Sequence, residues 1–300
     1  MENSLQKKHG LLSYQMYYHG MMLPGFIFLI IFNFVPMFGV IMAFQDFKPA
    51  KGFLDSTFVG LKHFRYLFEM PDSFELFRNT LVIAVGKILF TTLAAITFAI
   101  LLNEIKNKYL KKSIQTVVYL PHFLSWVVLA LVVKNLFGLD GMLNSMFGTS
   151  TNWLGSNTLF QPLLMGTDTW KEFGYSSIVY LASITSIDAT IYEAASIDGA
   201  TWWKKVWHVT LPGIKTTIIL MAVMNLGSIL NAGFDQVYNL YSASVYQTGD
   251  ILDTYVYRVG LQGLHFSFGT AVGLLKSVIA FILMIGANQL AKKYADSTIF

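Results

Sequence analysis

Two carboxylates and a phenol recur at helical spacing inside an apolar stretch of the sequence. Asp168, Glu172 and Tyr175 occupy positions i, i+4 and i+7, which places them on one face of a helix, with Lys171 beside them. Ionised carboxylates accept hydrogen bonds, so this stripe could bind the hydroxyl groups or the cationic group of a small molecule. It could equally be a water-exposed salt bridge between Lys171 and Asp168. The spacing predicts a polar stripe and leaves its role open.

A second polar group follows some fifty residues later, with members spaced three, three and four residues apart. The members are Asn225, Ser228, Asn231 and Asp235. On a continuous helix they would share about a third of the circumference. Amides hydrogen-bond hydroxyl groups, and rings such as Phe234 and Tyr238 stack on apolar C–H faces, so the group could line a site for a polyhydroxylated ligand. Hydrogen bonding between packed helices is the alternative.

Several kinds of catalytic and cofactor site are missing from the sequence. There is no G-x-x-x-x-G-K-[ST], H-E-x-x-H or G-x-S-x-G motif, the six histidines are scattered without ligand spacing, and there are no cysteines. The chain is therefore predicted to bind no metal or cofactor and to catalyse no reaction of its own. If ATP drives it, ATP and Mg²⁺ must be bound by another subunit.

The composition indicates a membrane protein. Hydrophobic residues make up 54% of the chain and charged residues only 13%, about half of the usual share in soluble domains. A spanning helix needs about 20 mostly apolar residues. Six stretches qualify, approximately Met21 to Phe44, Thr80 to Leu102, Ile114 to Phe137, Gln161 to Ile184, Ile214 to Phe234 and Phe268 to Ala291.

The positions of the lysines orient these spans. The connections near residues 103–113 and 204–215 and the tail after the last span are rich in lysine, whereas Gly138 to Phe160 has neither Lys nor Arg. The positive-inside rule then puts both termini in the cytoplasm. Within the long connection between the first two spans, Val59 to Phe68 is predicted to form a short interfacial helix. Three lysines inside the spans, Lys87, Lys134 and Lys276, are interpreted mainly as snorkelling or packing charges.

The longest inward-facing connection, Ser186 to Gly213, has the pattern of helix, turn and helix. Thr190 and Glu193 fit a capping box that would begin a short helix, and Gly199 can take the positive φ that ends one. A second helix is predicted from Thr201 to Val209, ending before Leu211 and Pro212. Small alanines beside an exposed Glu193 would let this loop lie closely in a groove of another protein.

These residues resemble the EAA loop of permease subunits in binding-protein-dependent ABC importers. The resemblance extends to the segments FVGLKHFRYLF, YLPHFLSW and DTYVYRVG. Together these segments are similar to maltose-type sugar permeases, in particular to the branch associated with complex oligosaccharides and polysaccharide fragments. It implies an all-α, polytopic membrane protein of the MetI-like permease fold, with six transmembrane helices in a single domain over residues 1–300. It also assigns ATPase coupling to Glu193, Ala194, Ala195, Asp198, Gly199, Ala200, Leu211 and Pro212.

The resemblance further implies partners and a substrate. It implies a second homologous permease, an ATPase dimer, an extracellular solute-binding protein, a carbohydrate substrate and surrounding lipid, in a bacterial plasma membrane and without nucleic acid. The predicted substrate path comprises Asp168, Glu172, Tyr175, Asn231, Phe234, Asp235 and Tyr238. The two carboxylates would repel uronates unless a lysine such as Lys171 offsets them. An ion-coupled secondary transporter that uses its intramembrane acids is the main alternative, and a binding-only scaffold is a third.

Overall fold

The computed structural model describes residues 2–227 and 229–295 of the 300-residue chain. The fold is mostly helical, in agreement with the predicted class. The α-helices are α1 (Glu2–Leu29), α2 (Val35–Met37), α3 (Lys62–Glu69), α4 (Ser73–Asn103), α5 (Lys108–Tyr119), α6 (Trp126–Phe137), α7 (Met142–Phe147), α8 (Phe160–Thr185), α9 (Ala189–Ile197), α10 (Trp202–Lys205), α11 (Leu211–Gly213), α12 (Lys215–Gly227), α13 (Phe234–Leu240), α14 (Tyr246–Gly249), α15 (Leu252–Tyr255) and α16 (Phe266–Ala295).

Short 3₁₀-helical turns, π-helical turns and strands join some of these helices. The π-helical turns are Ile30–Phe34, Val206–Thr210 and Val256–Gln262, and the 3₁₀ turns are Phe38–Phe44, Leu120–Phe123 and Ala243–Val245. Two short strands, β1 (Gln45–Asp46) and β2 (Thr57–Phe58), pair antiparallel in the connection between the first two long helical stretches. The interfacial helix predicted in that connection is α3, which begins three residues later than expected.

Within the described residues, four helical stretches are long and apolar enough to cross a membrane. They are Met16–Phe44, Ser73–Asn103, Trp126–Phe147 and Phe266–Gln289. The pair Trp202–Gly213 and Lys215–Gly227 would make a fifth, bent by 58°. Helix α8 is not among them, although its 26 residues would extend about 39 Å at ~1.5 Å each, because it contains charged residues. The count of six spans and the cytoplasmic termini stay predictions.

Two of the predicted spans are interrupted. The third is divided between α5 and α6 by a 3₁₀ turn that contains Pro121, and the Ser125 hydroxyl then accepts from the Val128 N–H to begin α6. The fifth was expected to continue to Phe234, which is wrong: α12 ends at Gly227, and Gly233 has a φ of 90° just before α13. Glycine adopts this left-handed backbone without the Cβ clash that other residues meet, so the chain can turn here. The inference of one continuous polar helical face is therefore wrong as well.

Helices α4 and α8 pack side by side and run in the same direction. Contacting residues advance together along both, as shown by the pairs Asn79 with Gln161, Thr91 with Thr169 and Phe98 with Phe173. The ends of both helices therefore lie together, next to α9. We call this the α9 end and the opposite one, where α3 packs on the start of α16 through Leu67 and Phe268, the α3 end.

Two apolar cores join the helices to one another. The first joins α4, α6, α8 and α13 and includes Ile83, Ala130, Phe160, Leu164 and Val237. The second lies towards the α9 end and includes Ala95, Ala99, Tyr180, Ile184, Val206 and Ile214. By contrast, only 6% of the most apolar window in Met16–Phe44 is buried. Its large exposed apolar side chains therefore leave a surface suited to lipid or to another membrane subunit.

Candidate functional site

The short helix of the predicted coupling loop is present as α9, but it begins at a different cap. Asp188, and not Thr190, is the N-cap residue, because its Oδ1 accepts a hydrogen bond of 2.9 Å from the Thr190 N–H. The predicted capping box is wrong since an equally good capping side chain stands two residues earlier. The same donor stabilises the ionised carboxylate and holds the pKa of Asp188 below its ordinary value.

The C-terminal end of α9 lies just before Gly199, as the sequence predicts. Gly199 has a φ of 72°, so it takes the left-handed conformation that closes a helix. The Ala200 N–H donates to the Ala195 carbonyl at 2.9 Å, and the Gly199 N–H donates to the Ser196 carbonyl at 3.1 Å. These two bonds form a Schellman motif, which stops α9 sharply before the helical run that begins at Trp202.

One side of α9 is attached to the bundle and the other is uncovered. The Tyr192 hydroxyl lies 3.0 Å from the Thr210 hydroxyl, and Lys205 Nζ donates to the Ser196 hydroxyl at 2.7 Å. Within α9, all of which the structure describes, no residue is buried. Among the predicted coupling residues, Glu193, Ala194, Asp198, Gly199 and Pro212 are exposed, while Ala195, Ala200 and Leu211 are partly buried.

The helical run after α9 is longer than predicted. It was expected to end before Leu211, but it continues from Trp202 to Gly213 through a π-helical turn, in which the Leu211 N–H donates to the Val206 carbonyl five residues earlier. Pro212 is accommodated because its fixed φ is helical and it stands in the first turn of α11. The bend of 58° comes next, at Ile214.

A polar cavity of about 260 Å³ lies between α4, α8, α12 and the irregular segment after α12. It brings together side chains from both predicted polar groups. The lining residues are Ala84, Lys87, Ile88, Thr91, Thr92, Asp168, Glu172, Ser176, Tyr180, Met221, Asn225, Asn231 and Gly233. Asn225 and Asn231 therefore reach the cavity even though no continuous helix carries them. Ser228 lies outside the described residues.

Lys87 is the cation at the centre of this wall. Its Nζ donates to the Ala232 carbonyl at 2.6 Å and lies 3.5 Å from Asp168 Oδ1. The residue is only 7% exposed, so of the two predicted roles, snorkelling or packing, Lys87 is a packed charge. A backbone carbonyl freed by the irregular segment needs a donor in a membrane, and the Lys87 ammonium supplies it. A Cβ at Gly233 would lie 2.6 Å from this ammonium, so a larger residue there would displace the end of the Lys87 side chain.

The second carboxylate is balanced by its own cation. Lys171 Nζ donates to Glu172 Oε1 at 2.8 Å and to the His122 carbonyl at 2.7 Å, and His122 Nδ1 lies 2.7 Å from Glu172 Oε2. The expected exposed pair of Lys171 with Asp168 is wrong, since Lys171 is buried and Asp168 pairs with Lys87. Two lysines thus offset two carboxylates, and the wall carries no net negative charge that would exclude uronates.

The remaining predicted path residues stand beside the cavity. The Tyr175 ring stacks on His122 with 3.9 Å between centroids and is 44% exposed. Phe234 and Tyr238 stack on each other at 5.3 Å next to Gly233, and Asp235 is exposed. Of the other lysines, Lys134 is exposed and Lys276 pairs with Asp253 at 2.5 Å.

Sequence reasoning missed the roles of Lys87 and His122 in this site. The signal for Lys87 was available, because an ionisable residue within an apolar span has to find a partner. For His122 the sequence holds no comparable signal, since its partner Glu172 is 50 residues away. Across residues 2–227 and 229–295, no three His, Cys, Asp or Glu side chains come close enough together to hold a metal ion.

Comparison with known proteins identifies the class of molecule to which this loop and this cavity belong. Residues 88–296 match the family described as "Binding-protein-dependent transport system inner membrane component". The chain belongs to this family. It is a permease, the membrane-embedded transport subunit of a bacterial importer that works with a solute-binding protein, and it is not an enzyme.

Individual relatives match along nearly the whole chain. The polygalacturonan/rhamnogalacturonan transport system permease protein YteP of Bacillus subtilis is 41% identical over 95% of this chain and 91% of its own length. Protein LplB of the same organism is 40% identical over 93% of this chain and 90% of its own length. YteP is a transport-system permease and the matched family consists of binding-protein-dependent transport components, so the ion-coupled secondary transporter considered from the sequence is wrong.

Solved structures give the same fold. A chain of a bacterial ABC transporter involved in the import of the acidic polysaccharide alginate superposes with a TM-score of 0.88 at 34% identity, covering 96% of this chain and 99% of that one. A second structure of the alginate transporter holds a periplasmic protein bound to an alginate pentasaccharide, and its chain superposes with a TM-score of 0.87 at 35% identity. It covers 96% of this chain and 98% of its own.

Proposed function

We propose that this chain, as a single permease domain, forms half of the membrane channel of an ATP-driven importer for oligosaccharides or polysaccharide fragments. A second homologous permease would complete the channel, and a separate ATPase dimer would bind ATP and Mg²⁺. The family and the substrates named for the similar permeases support this assignment. The exposed helix α9 is the observation that carries it.

Helix α9 is built as a contact surface for another protein. Its bonds to the bundle come from Tyr192 and Ser196, whereas Glu193, Ala194 and the 88%-exposed Ile197 project away from it. An uncovered apolar residue beside small alanines favours close docking into a groove. The charged end of Glu193 would give this contact its orientation. We therefore assign ATPase coupling to this surface of α9 and to its stop at Gly199.

The path from α9 to the cavity is short and mechanically continuous. Movement of α9 would act on the helical run Trp202–Gly213 through the bonds of Tyr192 and Ser196. That run meets α12 at the bend of 58°, and α12 carries Asn225 in the cavity wall. Closure of the ATPases would thus shift one wall of the cavity relative to α4 and α8.

The chemistry of the cavity suits a saccharide. Lys87 and Asn231 can donate, Asp168 and Glu172 can accept, and Ser176 and the two threonines can do both. Because sugar hydroxyl groups both donate and accept, this mixture satisfies them without a net charge in the wall. Lys87 and Lys171 also let acidic saccharides approach. The second permease would close the open side of the cavity.

Charge reversal and backbone strain on α9 test this function. In proteoliposomes that contain the complete complex, Glu193→Arg and Gly199→Pro should lower ATP-dependent uptake of oligosaccharide about tenfold or more while the amount of inserted permease stays the same. Glu104→Arg, an exposed charge reversal at the same end of the bundle, is the matched control. Undiminished uptake in both α9 variants would contradict the assignment.

A further inference from the structure

A chain of aromatic rings begins at the edge of the cavity. Phe234 and Tyr238 stack with 5.3 Å between their centroids, and Tyr257 lies 5.3 Å from Phe234 and 5.0 Å from Tyr238. Phe234 directly follows Gly233, which lines the cavity. The three rings therefore adjoin the cavity wall.

The series continues away from the cavity along α13. Tyr241 lies 6.1 Å from Tyr238, and Tyr246 lies 5.2 Å from Tyr241. Leu240 and Val245, which flank this part of the series, pack in the same core as Phe160, the first residue of α8. Because α8 begins at the α3 end, the rings extend from the cavity towards that end, opposite to α9.

The far end of the series is held in place by charged groups. The Arg258 guanidinium lies 4.1 Å from the Tyr246 ring centroid, within the range of a cation–π contact, and donates to Asp250 Oδ2 at 2.6 Å. Asp250 is buried and also accepts from the Thr254 hydroxyl at 2.7 Å. This network holds the outermost ring, Tyr246, which stays partly exposed.

All five rings keep part of their surface uncovered. Tyr238 is 37% exposed, and Phe234, Tyr241, Tyr246 and Tyr257 are partly exposed. Packing in the protein core would bury such rings, whereas a row of half-exposed rings leading to a polar cavity offers successive surfaces to a ligand. The apolar C–H faces of sugar rings stack on such surfaces, and the tyrosine hydroxyls can hydrogen-bond to the sugar hydroxyls.

We propose that Phe234, Tyr238, Tyr257, Tyr241 and Tyr246 form an aromatic track, a row of saccharide-binding subsites that guides an oligosaccharide from the α3 end into the cavity. The track rests on the proposed function and extends it from one cavity to a ligand several sugar units long. Stacking on rings needs no fixed hydrogen-bond pattern, so the chain can advance from ring to ring. The track therefore selects for the length of the ligand more than for the identity of each sugar.

The test compares short and long ligands on the complete complex in proteoliposomes with its solute-binding protein. There are four probes: a dimer and a longer oligomer released from polygalacturonan, and a dimer and a longer oligomer released from alginate. Tyr257→Leu and Tyr241→Leu each remove one ring, and Tyr257→Phe and Tyr241→Phe keep it. Tyr109→Leu, a 73%-exposed tyrosine on α5, is the control outside the track.

Each leucine variant should raise the KM for the longer oligomer by roughly two- to tenfold, the range expected for one lost stacking contact. The KM for the dimer should change much less, and the phenylalanine variants and Tyr109→Leu should resemble the unsubstituted complex. Equal losses for both ligand lengths, as expected of rings that anchor the protein in lipid, would overturn the track. An unchanged KM for the longer oligomer in the leucine variants would also overturn the track, but it would not contradict the proposed function. If the unsubstituted complex imports none of the four probes, the proposed function fails and the track fails with it.

Discussion

Lys87 joins two parts of the molecule that are distant in sequence. Its ammonium group bonds to a backbone carbonyl 145 residues away and faces the Asp168 carboxylate, and both side chains are largely buried. Removing one partner of a buried pair leaves the other charge without compensation, whereas removing both charges is far less costly. The pair therefore gives a direct test of how the cavity wall is stabilised.

Lys87→Met should lower the free energy of unfolding by about 1–3 kcal/mol, since Asp168 loses its counter-charge and Ala232 its donor. Thermal unfolding of the purified permease complex measures this change. The double variant Lys87→Met/Asp168→Asn should recover part of the loss in stability but should import saccharide more slowly, because only one of the two charged pairs of the wall, Lys171 with Glu172, remains. If the double variant is less stable than Lys87→Met, the pairing is not what stabilises the wall.

Gly233 provides a second residue-scale test. Its φ of 90° makes alanine unfavourable there by roughly 1–2 kcal/mol from the backbone alone, and the alanine Cβ would also lie 2.6 Å from the Lys87 ammonium. Gly233→Ala should therefore lower both the melting temperature and uptake. Gly166→Ala, at a helical position where a Cβ meets nothing within 4 Å, is the control and should be neutral or stabilising. Equal effects of the two substitutions would argue against the close approach.

At the scale of single elements, the cap of α9 makes a prediction about pH. Because the Thr190 N–H lowers the pKa of Asp188, the stabilisation of α9 by this cap is present above the ordinary aspartate pKa and is lost as the pH falls through the lowered value. Asp188→Asn keeps an uncharged cap at all pH values, whereas Asp188→Ala removes it.

Amide hydrogen exchange in α9 checks this expectation. At neutral pH, Asp188→Ala should lose protection in the first turn of α9 and Asp188→Asn should keep most of it. After correction for intrinsic exchange, the unsubstituted protein should lose protection in acid, and Asp188→Asn should lose less. Identical protection in Asp188→Ala and the unsubstituted protein would show that the cap does not stabilise α9.

Elements determined by local chemistry are the ones that the sequence predicts well. The stop at Gly199 needs only a glycine after a short helix, and both of its bonds lie within six residues. The end of α12 and the irregular segment before α13 were missed, because their stability depends on Lys87 from a distant helix. For the same reason the sequence identified Asp168 and Asn231 as candidates but not Lys87, which connects Asp168 to the segment that follows Asn231.

At the scale of the whole molecule, the chain has the surface of a part of a larger assembly. Its first span is almost entirely uncovered, the polar cavity opens to one side, and α9 projects beyond the bundle. The composition predicts the membrane environment, since burial in lipid is the only way to accommodate so many apolar residues. It could not predict which surfaces contact lipid and which contact other subunits, because both are apolar.

The most direct measurement is site-specific cross-linking from α9 in the assembled transporter. The natural sequence has no cysteine, so a single Ala194→Cys substitution provides a unique attachment point on the exposed side of α9. Leu54→Cys, at a position that is 98% exposed in the connection before α3, is the control. We expect a short cross-linker to join the Ala194→Cys variant to the ATPase subunit and not to join the Leu54→Cys variant to it. Cross-linking of the Ala194→Cys variant to the solute-binding protein, or of the Leu54→Cys variant to the ATPase, would contradict the assignment of ATPase coupling to α9.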